Sequence, residues 1–257
     1  MKAIILSAGE GKRLMPYTSG IPKCMVKVNG KALIQHQINV LRSAGISEII
    51  VVTGCHADKI NFKGIKTYFN NRYYETNMVF SLFCAKEELK EDVIISYGDI
   101  VYSDSILKKI IRSKYDISVA IDLDWESYWN KRFNNPLDDA ESLVLDEKGR
   151  IISIGKPAKK NNEIQGQYIG LTKFTNKGID LIKHIYNKAK KQNIIQGKNF
   201  KDAYMTDLIQ TVIDEGNEVW PINFNGGWVE VDTVRDLKLD LTSLRIKDIS
   251  DSINASK

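Results

Sequence analysis

The chain of 257 residues contains 43% hydrophobic and 27% charged residues, which is typical of a globular protein with a full core and excludes a disordered or fibrous chain. Its net charge of +5 comes from dispersed lysines, which argues against a basic stripe that binds nucleic acid. No run of about 18 apolar residues predicts a membrane span. The three cysteines lack a CxxC spacing, so neither a disulfide framework nor a zinc site is indicated. We expect a soluble, cytoplasmic protein that binds neither membranes nor nucleic acid.

Strands and helices alternate through the first half of the sequence. Residues 2–6 form an apolar run that ends in glycine-rich sequence, as expected for a buried strand entering a loop. A helical repeat that stops at Gly45, the strand SEIIVVTG, the helical segment NMVFSLFCAKEEL and the strand DVIISYGD follow. A capped helix over 103–113 and the strand DISVAIDLD continue the pattern. This alternation predicts a Rossmann-like, mostly parallel sheet with helices on both faces.

The second half of the sequence changes character. ESLVLDEKGRIISIGK is typical of a hairpin, and GQYIGLTKF of a further strand. Helices are predicted over 176–192 and 202–213, before the closing strands EVWPINF and WVEVD. We expect a single domain over residues 1–247 with a small β/α lobe at about 125–215, followed by a mobile polar tail over 248–257.

The segment LSAGEGKRLMPYTSGIPK, directly after the first strand, combines glycines with fixed cations. Its glycines let backbone N–H groups approach an anion, and Arg13 and Lys23 can neutralise phosphate oxygens. The spacing is neither G-x-G-x-x-G nor that of a P-loop. Asp99 and Asp232 also follow predicted strands, and ligands of open α/β sheets bind beyond the carboxyl ends of the strands. The sequence therefore predicts an anion site at this edge.

The stretch LSAGEGKRLMPYTSGIPKCMVKVNGKALI resembles the signature of the nucleotidyltransferases that make nucleoside-diphosphate sugars and CDP-linked head groups. The resemblance covers nearly the whole chain, since VVTG, YGD, IGKP, GQYIGL and WVEVDTVRDL follow in the family's order. It implies a GT-A-like nucleotidyltransferase fold and a nucleoside triphosphate held by the first loop. It also implies Mg²⁺ held by Asp99 and Asp232, in keeping with the preference of Mg²⁺ for carboxylate oxygens.

The resemblance also gives individual residues roles. Lys23 matches the family's catalytic lysine, which stabilises charge at the α-phosphate, and Arg13 matches the residue that grips the leaving pyrophosphate. Cys24 departs from the sugar enzymes, which usually continue with proline. Asn77 and Ser81 could hydrogen-bond the cytosine edge. The residues expected to bind the nucleotide are Leu6, Ala8, Gly9, Glu10, Gly11, Asn77, Ser81 and Tyr97.

The stretch NRYYETNMVFSLFCAKEEL resembles the cytidylyltransferases for phosphocholine and aminoethylphosphonate more than it resembles the sugar enzymes. CTP is therefore the expected donor, and a small amino-bearing phosphate or phosphonate, such as phosphocholine, aminoethylphosphonate or phosphoglutamine, is the expected acceptor. The CDP-linked product would be activated for transfer to a surface glycan or lipid.

Aromatic and acidic residues mark the expected acceptor side. In the segment DWESYWNKRFNNPLDDAESL, three aromatic side chains could pack over a cationic group: Trp125, Tyr128 and Trp129. Three acidic side chains could pair with an ammonium group: Asp138, Asp139 and Glu141. By the same resemblance, Arg132 and Lys156 would clamp the attacking phosphate or phosphonate. The residues expected to bind the acceptor are Arg132, Asp139, Lys156, Tyr168 and Tyr204, with Asp207 nearby.

Two alternatives remain open. A sugar-1-phosphate nucleotidyltransferase that uses UTP or dTTP would share the N-terminal motif. A non-catalytic, nucleotide-binding regulatory module would share the fold, although the presence of Lys23, Asp99 and Asp232 argues against it. The sequence leaves the oligomeric state and the identity of the acceptor undecided.

Overall fold

The computed structural model describes residues 1–255. Its strands are β1 (Lys2–Ser7), β2 (Lys27–Val28), β3 (Lys31–Ala32), β4 (Ile49–Thr53), β5 (Ile65–Phe69), β6 (Val93–Tyr97), β7 (Ile100–Tyr102), β8 (Ile117–Asp122), β9 (Glu141–Leu145), β10 (Ile151–Pro157), β11 (Gln167–Phe174), β12 (Ile194–Ile195), β13 (Lys198–Asn199), β14 (Trp220–Phe224) and β15 (Trp228–Glu230). Its α-helices are α1 (Leu33–Ser43), α2 (Met78–Cys84), α3 (Asp104–Ile111), α4 (Trp125–Arg132), α5 (Asn176–Gln192), α6 (Met205–Asp214), α7 (Val234–Lys238) and α8 (Asp240–Ala255).

The central sheet, as built from the described residues, has seven strands in the order β14-β8-β11-β6-β1-β4-β5. Strand β11 runs antiparallel to β6 and β8, and the other neighbouring pairs are parallel. Strands β1, β4 and β6 are almost wholly buried runs of apolar residues, as expected of strands that are covered on both faces. The predicted mostly parallel sheet is confirmed.

Two hydrophobic clusters cover the two faces of the sheet. Successive side chains of β1 point to opposite faces, so Ile5 belongs to one cluster and Ile4 to the other. Helices α1, α3 and α8 pack in the cluster of Ile5, and helices α2, α5 and α6 in that of Ile4. The predicted hairpin is also present, as the antiparallel pair β9 and β10.

The C-terminal segment differs from the mobile polar tail that was predicted over residues 248–257. Residues 248–255 do not form a polar tail but continue helix α8, while residues 256–257 of the predicted tail lie outside the described part of the chain. One face of the helix is buried and carries Ile246, Ile249 and Ile253 at helical spacing. The polar residues between them lie on the other faces of the helix. Ser250 lies beside His36 of α1, with 3.5 Å between Oγ and Nδ1.

A small antiparallel pair joins two distant parts of the chain. Strand β15 pairs with β7, and Val231 N–H donates to the carbonyl oxygen of Asp99 at 2.9 Å. The pairing brings the segment that carries Asp232 beside the turn between β6 and β7.

No helix of the described residues is long and apolar enough to cross a membrane.

Candidate active site

A cleft of about 380 Å³ opens where β1 and β6 end. The first loop, residues 73–81 and the segments around Asp99 and Asp232 line it. The structure brings together here all the side chains and backbone positions predicted to bind the nucleotide: Leu6, Ala8, Gly9, Glu10, Gly11, Asn77, Ser81 and Tyr97. The predicted catalytic and metal-binding residues line the same cleft: Arg13, Lys23, Asp99 and Asp232.

Glycine shapes the first loop at one decisive position. Gly11 has a φ of +65°, and a Cβ atom there would lie 3.1 Å from both Lys23 Cβ and Thr18 Cγ2. The Thr18 hydroxyl donates to the Gly11 carbonyl at 2.9 Å. The left-handed backbone and the close approach both favour glycine, and together they hold the loop against the segment that carries Lys23.

Lys23 lies at the centre of a group of charges. Its ammonium donates to Asp99 Oδ2 at 2.5 Å and also to Asp232 Oδ1. Arg13 Nη2 lies 2.5 Å from the other oxygen of Asp232. Burial opposes the charge of Lys23, but Asp99 and Asp232 outweigh it and hold the pKa of Lys23 above its ordinary value. Lys23 is therefore a fixed cation at neutral pH.

Known proteins resemble this chain over most of its length. A family model described as a MobA-like NTP transferase domain matches residues 3–130. The CTP:phosphoglutamine cytidylyltransferase of Campylobacter jejuni is 41% identical over 252 residues, which are 94% of this chain and 99% of that protein. This chain belongs to the nucleotidyltransferases.

A further curated relative and a solved structure are also similar to this chain. The choline-phosphate cytidylyltransferase of Streptococcus pneumoniae is 34% identical over 157 residues, which are 60% of this nucleotidyltransferase and 68% of that protein. The solved structure of the CTP:phosphocholine cytidylyltransferase from Streptococcus pneumoniae matches with a TM-score of 0.72 and 24% identity, over 95% of this chain and 98% of that chain. The structural match confirms the predicted GT-A-like fold.

The carboxylates of this nucleotidyltransferase fit a divalent metal, which is typical of the family. Asp99 Oδ1 is buried without a hydrogen-bond partner, and Asp99 and Asp232 already flank one cationic group, Lys23 Nζ. Within residues 1–255, no group of three or more His, Cys, Asp or Glu side chains could hold a metal. The carboxylates of Asp99 and Asp232 are the side chains in this cleft that would suit a hard divalent cation, which prefers oxygen ligands.

Arg132 does not lie in an open acceptor pocket. Its side chain is 1% exposed and pairs with Glu230 Oε2 at 2.7 Å and with Asp236 Oδ1 at 2.9 Å. Two carboxylates thus already pair with the guanidinium, while its Nη1 is buried without a hydrogen-bond partner, and the phosphate clamp expected at Arg132 stays a prediction. Tyr128 and Trp129 form part of the core, and the cation near both rings is Arg132 itself. Their expected packing over an acceptor cation is therefore not supported.

The other predicted acceptor residues lie on several elements. Asp139 is half-buried and accepts from Trp129 Nε1 at 3.1 Å, while burial raises its pKa. Tyr168 meets the ring of Tyr97 edge-on at 5.7 Å, so it adjoins the cleft. Lys156 is exposed on β10, and Tyr204 is 45% exposed at the start of α6.

Sequence reasoning missed three residues around the cleft. Glu230 precedes Asp232 by two positions and lines the cleft, a relationship that the strand alternation of WVEVD could have indicated. Asp236 accepts from the backbone N–H of Asp232 at 3.1 Å. Gln37 is fully buried and donates to the carbonyl of Tyr97 at 3.0 Å. Gln37 gave no signal, because it lies in the middle of an ordinary amphipathic helix.

Proposed function

We propose that this nucleotidyltransferase transfers CMP from CTP to a small amino-bearing phosphate or phosphonate and releases pyrophosphate. The observation that carries the proposal is the meeting of Lys23 with Asp99 and Asp232 beside the glycine-rich loop. The full-length similarity to a CTP:phosphoglutamine cytidylyltransferase supports CTP as the donor and makes phosphoglutamine the first acceptor to test.

In the proposed reaction an acceptor oxygen attacks the α-phosphorus of CTP in line, and pyrophosphate leaves from the opposite side. The attacking oxygen is already anionic, so the step needs neither a covalent enzyme intermediate nor a general base. Catalysis then depends on positioning and charge neutralisation. Lys23 would stabilise charge at the α-phosphate, and Arg13 would hold the leaving pyrophosphate.

Asp99 and Asp232 would hold a divalent metal, which we propose to be Mg²⁺. When bound, the metal would neutralise negative charge on the phosphate oxygens. The backbone of the first loop would hold the triphosphate, because glycines there leave N–H groups accessible to an anion. Asn77 and Ser81 would face the base. Ser81 is buried, and its hydroxyl accepts from Asn70 Nδ2 at 3.0 Å, which fixes its position in the cleft wall.

Acidic side chains support an acceptor with an amino group. Glu141 begins β9 and keeps an exposed surface, but partial desolvation and the charges of Asp139 and Asp207 outweigh the opposing charge of Lys198 and raise the pKa of its carboxyl to about 7. Lys198 already pairs with Asp207 at 2.9 Å, so the acceptor's ammonium group would stabilise the charges of Asp139 and Glu141. Lys156 would pair with the phosphate or phosphonate of the acceptor, and Tyr168 and Tyr204 would line its path. Arg132 is left out of this site because of its buried ion pairs.

The proposed substrates also suggest where the protein acts. CTP is made and consumed in the cytoplasm, so we place the reaction there. The CDP-linked product would be an activated donor, suited to a later transfer to a surface glycan or lipid.

The test is pyrophosphate release in the presence of Mg²⁺, with CTP, UTP, dTTP and ATP crossed against phosphoglutamine, phosphocholine, aminoethylphosphonate and glucose-1-phosphate. We expect release with CTP and one amino-bearing acceptor, and none when the metal is chelated. Release with UTP or dTTP and glucose-1-phosphate would instead show a sugar nucleotidyltransferase. CTP binding without release from any pair would support a regulatory module.

A further inference from the structure

A buried ion pair lies next to the candidate metal ligand Asp232. Arg132 Nε donates to Asp236 Oδ1 at 2.9 Å, and its Nη2 donates to Asp236 Oδ2 at 3.3 Å. The same Nη2 lies 2.7 Å from Glu230 Oε2. The side chains of Arg132 and Asp236 are each 1% exposed, so this bidentate pair is shielded from water.

Asp236 fixes the backbone that carries Asp232. Its Oδ2 accepts from the N–H of Asp232 at 3.1 Å, and from the N–H and hydroxyl of Thr233 at 2.8 and 3.0 Å. The bond from the Thr233 N–H belongs to a capping box at the start of α7, whose other bond runs from the Asp236 N–H to the Thr233 hydroxyl at 3.2 Å. A capping box requires neither the bond to Asp232 nor a buried arginine supplied from 104 positions earlier in the chain.

Stability alone is a poor explanation for this arrangement. Burying an arginine and an aspartate costs desolvation that their attraction roughly offsets, so apolar side chains would stabilise the fold equally well. The rings of Tyr128, Trp129 and Phe133 surround the guanidinium and fix its direction. The result is a rigid link from α4, through Asp236, to the backbone of Asp232.

We propose that Arg132 and Asp236 are positioning residues that hold Asp232 in the orientation that binds the metal–nucleotide complex. This inference rests on the proposed function, in which Asp232 is a metal ligand. It also gives Arg132 a role different from a clamp on the acceptor phosphate. Loss of hydrogen bonds to a metal ligand commonly weakens metal binding by about 10- to 100-fold.

The test compares metal binding with acceptor kinetics. We would measure Mn²⁺ binding in the presence of CTP and without acceptor, by electron paramagnetic resonance, for the variants Arg132→Met, Arg132→Lys and Asp236→Asn. A positioning role predicts a Mn²⁺ dissociation constant about 10- to 100-fold higher for Arg132→Met and Asp236→Asn. Arg132→Lys keeps the charge but loses the bidentate geometry, so its effect should be intermediate. In turnover assays kcat should fall while the KM for the acceptor stays unchanged.

Two control variants separate positioning from general damage. Arg150→Met removes an arginine that also pairs with two carboxylates, Asp146 and Glu218, but lies on the hairpin at 30% exposure. Ile182→Ala opens a cavity in the core cluster on the other face of the sheet, so it lowers stability without changing the ion pair. Neither should change the Mn²⁺ dissociation constant.

Four results would overturn the inference. An increased acceptor KM with unchanged Mn²⁺ binding would restore Arg132 as an acceptor clamp. Reduced thermal stability with unchanged Mn²⁺ binding would make the pair purely structural. The same conclusion would follow if Ile182→Ala weakened Mn²⁺ binding as much as Arg132→Met does. Asp232→Asn separates the positioning role from the metal assignment. If this variant also leaves Mn²⁺ binding unchanged, the assignment of Asp232 as a metal ligand fails. If Asp232→Asn alone weakens Mn²⁺ binding, only the positioning role is rejected.

Discussion

Lys23 Nζ donates to Asp99 Oδ2 at 2.5 Å, although 76 positions separate the two residues in the chain. The same ammonium reaches Asp232, a further 133 positions along the sequence, because β15 pairs with β7 beside the turn that carries Asp99. One cation thus joins the two carboxylates that follow separate strands. The centre of the candidate site is already arranged by the chain's own charges.

Replacement of either carboxylate tests the metal assignment. Asp99→Asn and Asp232→Asn keep the size of the side chain but remove its charge, so we expect folded proteins whose Mg²⁺-dependent turnover falls by about 10²- to 10³-fold. Pyrophosphate release and circular dichroism would measure activity and folding. Turnover equal to that of the parent in either variant would show that the metal is held elsewhere.

Lys23→Ala tests whether Lys23 acts mainly in the transition state. We expect kcat to fall by about 10²-fold or more while CTP affinity changes little, because the charge on the α-phosphate is greatest in the transition state. Equilibrium dialysis of CTP and steady-state kinetics would separate the two effects. The matched control is Lys27→Ala, an exposed lysine of the same segment, which should behave like the parent. A variant that loses CTP affinity and keeps its kcat would assign Lys23 to ground-state binding.

The pH dependence of acceptor binding tests Glu141. With its pKa raised to about 7, the carboxyl is mostly neutral at pH 6 and mostly charged at about pH 8. If the carboxylate pairs with the acceptor's ammonium group, the KM for the acceptor should fall as the pH rises across this range. Glu141→Gln should remove that component and leave the titration of the acceptor's own phosphate. Parallel profiles for the parent and the variant would place the amino group elsewhere.

Truncation after residue 247 tests the corrected C-terminus. It removes Ile249 and Ile253 from the core beside α1, and each buried isoleucine contributes about 1.5 to 3 kcal/mol. We therefore expect the free energy of unfolding in urea to fall by about 3 to 6 kcal/mol. Leu244→Ala, which changes an exposed residue of the same helix, serves as the control and should have little effect. An unchanged urea midpoint in the longer truncation would mean that the helix adds nothing to the fold.

Much of the fold was predictable because it depends on local patterns. The apolar runs of β1, β4 and β6 are short, continuous and followed by turn residues, so both the strands and their parallel arrangement could be inferred. The hairpin of β9 and β10 and the helix α5 were equally local. The end of α8 was missed because a sparse isoleucine repeat among polar residues resembles a solvated tail until a partner surface covers it.

The sequence by itself determined which residues follow the strands, and thereby placed the first loop, Asp99 and Asp232 at one edge of the sheet. Only the tertiary structure decided that Lys23 bridges the two carboxylates and that Arg132 turns inward to Asp236 and Glu230. Helix α4 carries charged and aromatic residues on several sides, so its sequence does not indicate which side is buried. The direction of a charged side chain depends on the opposite charges that distant segments bring near it, and those neighbours exist only once the chain has folded.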